Sequence, residues 1–166
     1  IYERYAHGEM TSADSMKVDT TAVYYTVKGR RVYGGGGIIP DIFVPVDTTK
    51  ATSFYIECNR KTTAVRFASS MFDRYRGTLS QIDDFDKLSG WLDSIDIEGQ
   101  FLKYAEKADG LKPEPGEWEK TRDYMLPQLK ALTGRFSKLD DEAFYRFHLP
   151  VDETIKVALE NPSVIK

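Results

Sequence analysis

The spacing of the apolar residues changes rhythm once, near Thr48–Lys50, and that change limits the fold more than any other feature of the chain. Before it, the residues read as strand and turn. The run "TAVYYTV" (21–27) is rich in β-branched and aromatic residues, which suit a pleated surface. A "KGR" turn follows, then "RVY", four glycines (Gly34–Gly37), and "IIPDIFVPV". Pro40 and Pro45 cannot donate to a ladder, so that last run reads as an edge strand or an extended segment. After it, apolar residues recur at helical spacings of three and four. The expected fold class is α+β: a short antiparallel β segment within residues 1–50, then a mostly α-helical domain over 51–166.

Five or six amphipathic helices are expected. In the first, Val65, Phe67, Ala68, Met71, Phe72 and Tyr75 share a face, Thr52 or Ser53 supplies the N-cap, and Gly77 the stop. Ile82, Phe85, Leu88, Trp91, Leu92 and Ile95 mark the next, weakened by Gly90 and ending near Asp93. Ile97, Phe101, Leu102, Tyr104 and Ala105 mark another, which closes at Gly110. "KPEPGEW" is a connector. "EWEKTRDYMLPQLKALTGRFS" is helical but carries Pro127, whose ring should kink or break the helix near Leu126. "DDEAFYRFHL" and "VDETIKVALEN" read as two short helices, each opening on acidic residues that suit the helix dipole. No internal repeat is evident.

Composition narrows the function classes. A chain of 166 residues, 41% hydrophobic and 30% charged, suits one globular domain or a little more. Its nine Phe, ten Tyr and two Trp can fill a core. The 23 basic and 26 acidic residues are intermixed, with no basic stripe, so nucleic acid is not an expected partner. No run of about 18 apolar residues occurs, so no membrane-spanning helix is expected. The one cysteine, Cys58, allows no internal disulfide and no Cys-based zinc site, and reads as a small buried hydrophobe. No signal peptide is visible. The chain opens at Ile1 directly into "IYERYAHGEM", and reads as a piece of a longer protein.

The candidates for chemistry are weak. A phosphate loop opens a helix, whereas these glycines lead into a β-branched run with Pro40 in it. They read instead as a tightly curved or mobile connection where a side chain would collide. Ser12, Ser15 and Lys17 lie close in sequence, but Ser15 and Lys17 lack the helical-turn spacing of a Ser–Lys pair, and no G-x-S-x-G elbow occurs. His7 and His148 fall in different halves and belong to no metal-ligand pattern. The pairs Asp83–Asp84 and Asp140–Asp141 sit at helix starts, where capping explains them. No catalytic, cofactor-binding or metal-binding residue is assigned, and no cofactor is expected.

"YYTVKGRRVYGGGGIIPDIFVPVD" (24–47) resembles the end of the peptidase domain in the C-terminal processing (tail-specific) serine peptidases. That family closes its core with a strand, a "T-x-x-GR-x" turn, a glycine-containing link and "GI-x-PDI-x-V". Tyr25, Thr26, Gly29, Arg30, Gly37, Ile38, Pro40, Asp41, Ile42 and Val44 stand in those places. The long glycine run and the preceding "RYAHGEMTSADSMKVD" look like the Bacteroidetes branch. The resemblance covers roughly the first fifty residues.

It implies a parent enzyme of the periplasm or cell envelope, with a Ser nucleophile, a Lys base and a PDZ-like domain that presents substrate C-termini. Both catalytic segments would precede this stretch, and neither pattern occurs here, so no catalytic residue carries over to Ser15 or Lys17. The implied partners are the rest of the parent peptidase and, through it, protein or peptide substrates. Asp41, after Pro40, reads as a turn or cap group, and residues 1–50 read as the terminal strands of the peptidase core.

The competing expectation is a helical interaction module that docks on the peptidase core or mediates dimerisation. Its motive is the aromatic load of the helices: Tyr75, Trp91, Trp118, Tyr124, Phe144, Tyr145 and Phe147. The simpler expectation is that these rings fill the helical domain's own core.

Overall fold

The computed structural model describes residues 7–9, 11–12, 15, 21–34, 40 and 42–162. Among them are one two-stranded antiparallel sheet and seven α-helices, which agrees with the expected α+β class. The chain divides into two compact units, Ile1–Asp47 with Val157–Lys166, and Thr48–Lys156.

The first unit holds a hairpin. Strand β1 (Val23–Tyr25) pairs with β2 (Arg31–Tyr33), setting Val23 opposite Tyr33 and Tyr25 opposite Arg31. The turn closes through Thr26: its N–H donates to the Arg30 carbonyl at 2.8 Å, and its Oγ1 accepts from the Arg30 N–H at 3.1 Å. Gly29 completes the turn at φ 77°, where an L side chain would be strained. The strands are shorter than the seven-residue run anticipated. The 42–46 stretch belongs to no ladder, in keeping with Pro45.

The second unit is helical. Helix α1 (Ser53–Arg60) starts at Thr52, whose hydroxyl accepts from the Tyr55 N–H at 3.2 Å. Helix α2 (Thr63–Leu79) is separate from it, because Thr62 at φ 53° breaks the spiral. The stretch anticipated as one helix is thus two. Gly77 does not stop α2, which runs to Leu79 with a non-helical residue at Tyr75. Helix α3 (Phe85–Ser94) is capped by the Asp84 carboxylate on the Lys87 N–H at 2.9 Å. Helix α4 (Ile97–Asp109) ends at Gly110, at φ 67°, where the Leu111 N–H reaches back to the Ala105 carbonyl.

Helix α5 (Glu117–Gly134) continues through Pro127, so of the kink or break expected near Leu126 the break does not occur. The ring removes one hydrogen bond, to the carbonyl of Asp123, but that residue faces solvent, where water can replace the lost donor. Met125 and Leu129, on either side of the proline, are fully buried and hold the helix to the core. Helix α6 (Asp141–His148) and a 3-10 turn (Leu149–Val151) follow, then helix α7 (Glu153–Glu160), whose residues from Val157 on are counted with the first unit. Gly134 lets α5 and α6 approach closely, since a Cβ there would lie 3.1 Å from the Ala143 Cβ. Asp152 caps α7, accepting from Thr154 and Ile155. At Asp140 the anticipated side-chain cap is absent. Its neighbour Asp141 pairs with Arg135 instead.

Four rings from four helices form the centre of this unit. Phe101 of α4 meets Phe67 of α2 at 5.3 Å, Trp118 of α5 at 6.2 Å and Phe54 of α1 at 6.3 Å. Leu88, Leu92, Met125 and Leu129 extend the core toward α3. Of the aromatic residues singled out in the sequence, Tyr75, Trp91, Trp118 and Phe147 belong to or pack on this core, as the simpler expectation had it. Tyr145 is exposed. Replacing Phe101 with Ala removes the shared partner of three rings, and should lower the unfolding free energy by about 3–5 kcal/mol in urea titration. A loss below about 1 kcal/mol would show that the core does not centre on this ring.

Candidate functional site

The sequence-derived candidates do not converge on an active site among the described residues. Ser12 and Ser15 share a local turn, the Ser15 N–H donating to the Ser12 carbonyl at 3.2 Å. Lys17, Gly35–Gly37 and Asp41 lie outside the described residues. Gly34 is described: a Cβ there would fall 2.6 Å from the Tyr24 ring, so a side chain would have to displace that ring. His7 lies in a turn and is exposed. His148 stacks on Phe144 one turn back in α6, ring centroids 5.4 Å apart. No group of three His, Cys, Asp or Glu residues is placed to hold a metal ion among the described residues.

Cys58 is fully buried in α1, as its apolar context suggested. Burial, reinforced by the negative charge of Asp109, pushes its thiol up to about 12. A group that stays protonated so far above neutrality is a poor nucleophile. Asp109 lies at the end of α4. Arg66 donates to both of its carboxylate oxygens, at 2.7 and 2.5 Å, and the buried Thr63 hydroxyl donates at 2.6 Å. These bonds hold its carboxyl below the ordinary range, the Arg66 bond most strongly. The Lys61 ammonium caps the same helix end by donating to the Asp109 carbonyl at 2.9 Å. These bonds fasten α1 and α2 to α4.

Among the described residues, two clefts open on the helical unit. One, of roughly 530 Å³, lies among α3, α5, α6 and the 3-10 turn, with Phe85, Pro127, Phe147 and Pro150 in its walls. Its two cations are already engaged. Lys130 pairs with Asp93 at 2.5 Å, and the Arg146 guanidinium lies 3.9 Å from the centre of the Phe85 ring. The other, of roughly 480 Å³, lies between α2 and α4. Phe67 and Met71 line it, with Arg74, Lys103 and Lys107 around them, and no carboxylate takes part among the described residues. The Arg74 guanidinium donates to the Gln100 side-chain carbonyl at 2.8 Å. Gln100 is itself fixed by its amide N–H donating to the Ile95 carbonyl at 2.6 Å.

The one-turn spacing of Lys103 and Lys107 was available in the sequence, but Arg74 joins them only through the packing of two helices. The second cleft is therefore a feature that sequence reasoning missed.

No family model matches the chain, and neither the curated proteins nor the solved structures give a match. No helix among the described residues is long and apolar enough to cross a membrane.

The thiol gives a pH test. The unfolded thiol ionises near about 8.5, whereas the folded one holds its proton up to about 12. Its contribution to stability is therefore complete below the unfolded value and is lost as pH rises toward the folded one. At about pH 8, a chromogenic disulfide reagent should leave native Cys58 unmodified and react promptly once denaturant is added. Fast labelling of the native protein would contradict the buried, protonated state.

Proposed function

We propose that this chain is the C-terminal portion of a carboxyl-terminal processing serine endopeptidase, whose Ser–Lys dyad lies upstream and whose substrates are proteins of the cell envelope. The hairpin is the observation that supports this reading. Its strands are built from residues suited to a sheet interior, yet Tyr24 and Tyr25 are 61% and 69% exposed, and Val27 is fully exposed. A two-stranded ladder of three-residue strands is marginal alone and buries too little to explain such residues. Further strands of a parent sheet would cover them.

The turn agrees with the motif for physical reasons. Thr26 supplies both the N–H and the hydroxyl that bind Arg30, and Gly29 supplies the positive φ. In this reading the helical unit is an appendage of the enzyme, and its partner is the catalytic and PDZ-like remainder.

The chain itself is inert in this account, because Ser–Lys catalysis needs nucleophile, base and oxyanion donors together. Incubation with peptides bearing free C-termini should give no cleavage above background, with or without Ser15→Ala. Cleavage that Ser15→Ala abolishes would overturn the reading. So would a native gene whose codons before Ile1 lack a Gly/Ser-rich nucleophile segment followed by a Lys segment.

A further inference from the structure

We propose that the cleft between α2 and α4 is a binding site for a phosphate group carrying at least two negative charges. It is formed wholly within the helical unit and does not depend on the peptidase reading.

The distribution of charge carries the argument. The chain has more acidic than basic residues, 26 against 23. Most of its arginines in the helical unit meet a carboxylate: Arg60 with Glu57, Arg66 with Asp109, Arg76 with Asp73, Arg122 with Glu98. Arg74 lies between two such arginines on α2, yet its hydrogen bond goes to a neutral amide. Lys103 and Lys107 form no ion pair with any described residue. Like charges one helical turn apart repel, so this arrangement costs stability until an anion neutralises it.

Geometry supplies the rest. On α4, Gln100, Lys103, Tyr104 and Lys107 follow a spacing of three and four residues, which sets them along one face. Phe67 and Met71 of α2 lie almost wholly buried beneath, and the Tyr104 ring stands edge-on to Phe67 at 5.6 Å. Gln100 has its amide orientation set by the Ile95 carbonyl, so its oxygen faces Arg74 and holds the guanidinium at the cleft. One arginine and two lysine side chains lining a shared recess match a diphosphate or a dianionic phosphomonoester, through charge-assisted hydrogen bonds. A volume of roughly 480 Å³ exceeds what one phosphate fills, leaving room for an organic portion against the apolar walls.

The same phosphate chemistry occurs on free metabolites and on lipid headgroups, and two arms separate them. In the first, the whole chain is titrated with pyrophosphate at about 0.1 M salt, which screens non-specific attraction, and amide shifts are followed by NMR. In the second, it is sedimented with phosphatidylcholine vesicles with and without phosphatidic acid.

Saturable shifts centred on Arg74, Gln100 and Lys103 support the site and assign it to free anions. Binding only to the phosphatidic acid vesicles supports it and assigns it to headgroups. In whichever arm binds, Arg74→Gln and the double variant Lys103→Gln with Lys107→Gln should each weaken binding about tenfold or more. Lys87→Gln, a charge change on α3 outside the cleft, should leave it unchanged. All three positions of the cleft are exposed, so the variants should keep the circular dichroism of the parent. Absence of binding in both arms, or binding that the cleft variants weaken no more than Lys87→Gln, overturns the proposal.

Discussion

Phe101 has no exposed surface, and rings from three other helices close on it. Phe54 and Phe67 meet it edge-to-face and Trp118 at a tilt, and aromatic pairs of this kind add about 0.5–1.5 kcal/mol each beyond the area they bury. More important is the cross-linking. Phe54 ties in α1, Phe67 ties in α2 and Trp118 ties in α5, and Phe54 also meets Trp118 at 6.1 Å, so α4 shares its central ring with three helices that pack on one another as well. The polar fastenings follow the same lines: Asp109 holds α1 and α2 to α4, and Glu98 receives both the Trp118 indole at 2.6 Å and Arg122 at 2.8 Å from α5.

This packing decides where local signals prevail. Pro127 is a helix breaker by chemistry, but the faces on either side of it are anchored by Met125 and Leu129, and the helix persists. Gly77 would end an isolated helix, yet Leu79 beyond it is fully buried and carries α2 two residues further. Thr62 adopts a left-handed conformation that a β-branched residue ordinarily avoids. On either side of it, Cys58 and Thr63 are buried, and that demand sets the chain direction between α1 and α2.

Features set by a few neighbouring residues were readable beforehand. The Thr52 cap, the Asp84 cap, the Gly110 stop and the turn at Gly29 each follow from the chemistry of four or five consecutive residues. The buried aromatic face was readable too, because helical periodicity announces it. What escaped was decided by burial and packing rather than by local propensity: the continuity through Pro127 rests on the burial of Met125 and Leu129, Asp141 pairs with Arg135 six residues away, and Arg74 joins Lys103 and Lys107 only across two helices. No serine, histidine or acidic pair picked out in the sequence gathered partners for catalysis among the described residues. The unassigned cationic recess instead arises where two well-predicted helices meet.

The central claim is that the helical unit holds itself together around Phe101, while the hairpin has too little burial of its own to be stable. Native-state hydrogen exchange measures both in one experiment. The account predicts that the amides of Phe67, Phe101 and Leu129 exchange with one shared, high opening free energy, and that those of β1 and β2 exchange far faster. Hairpin amides as slow as those three, or unrelated opening energies for the three helices, would contradict it.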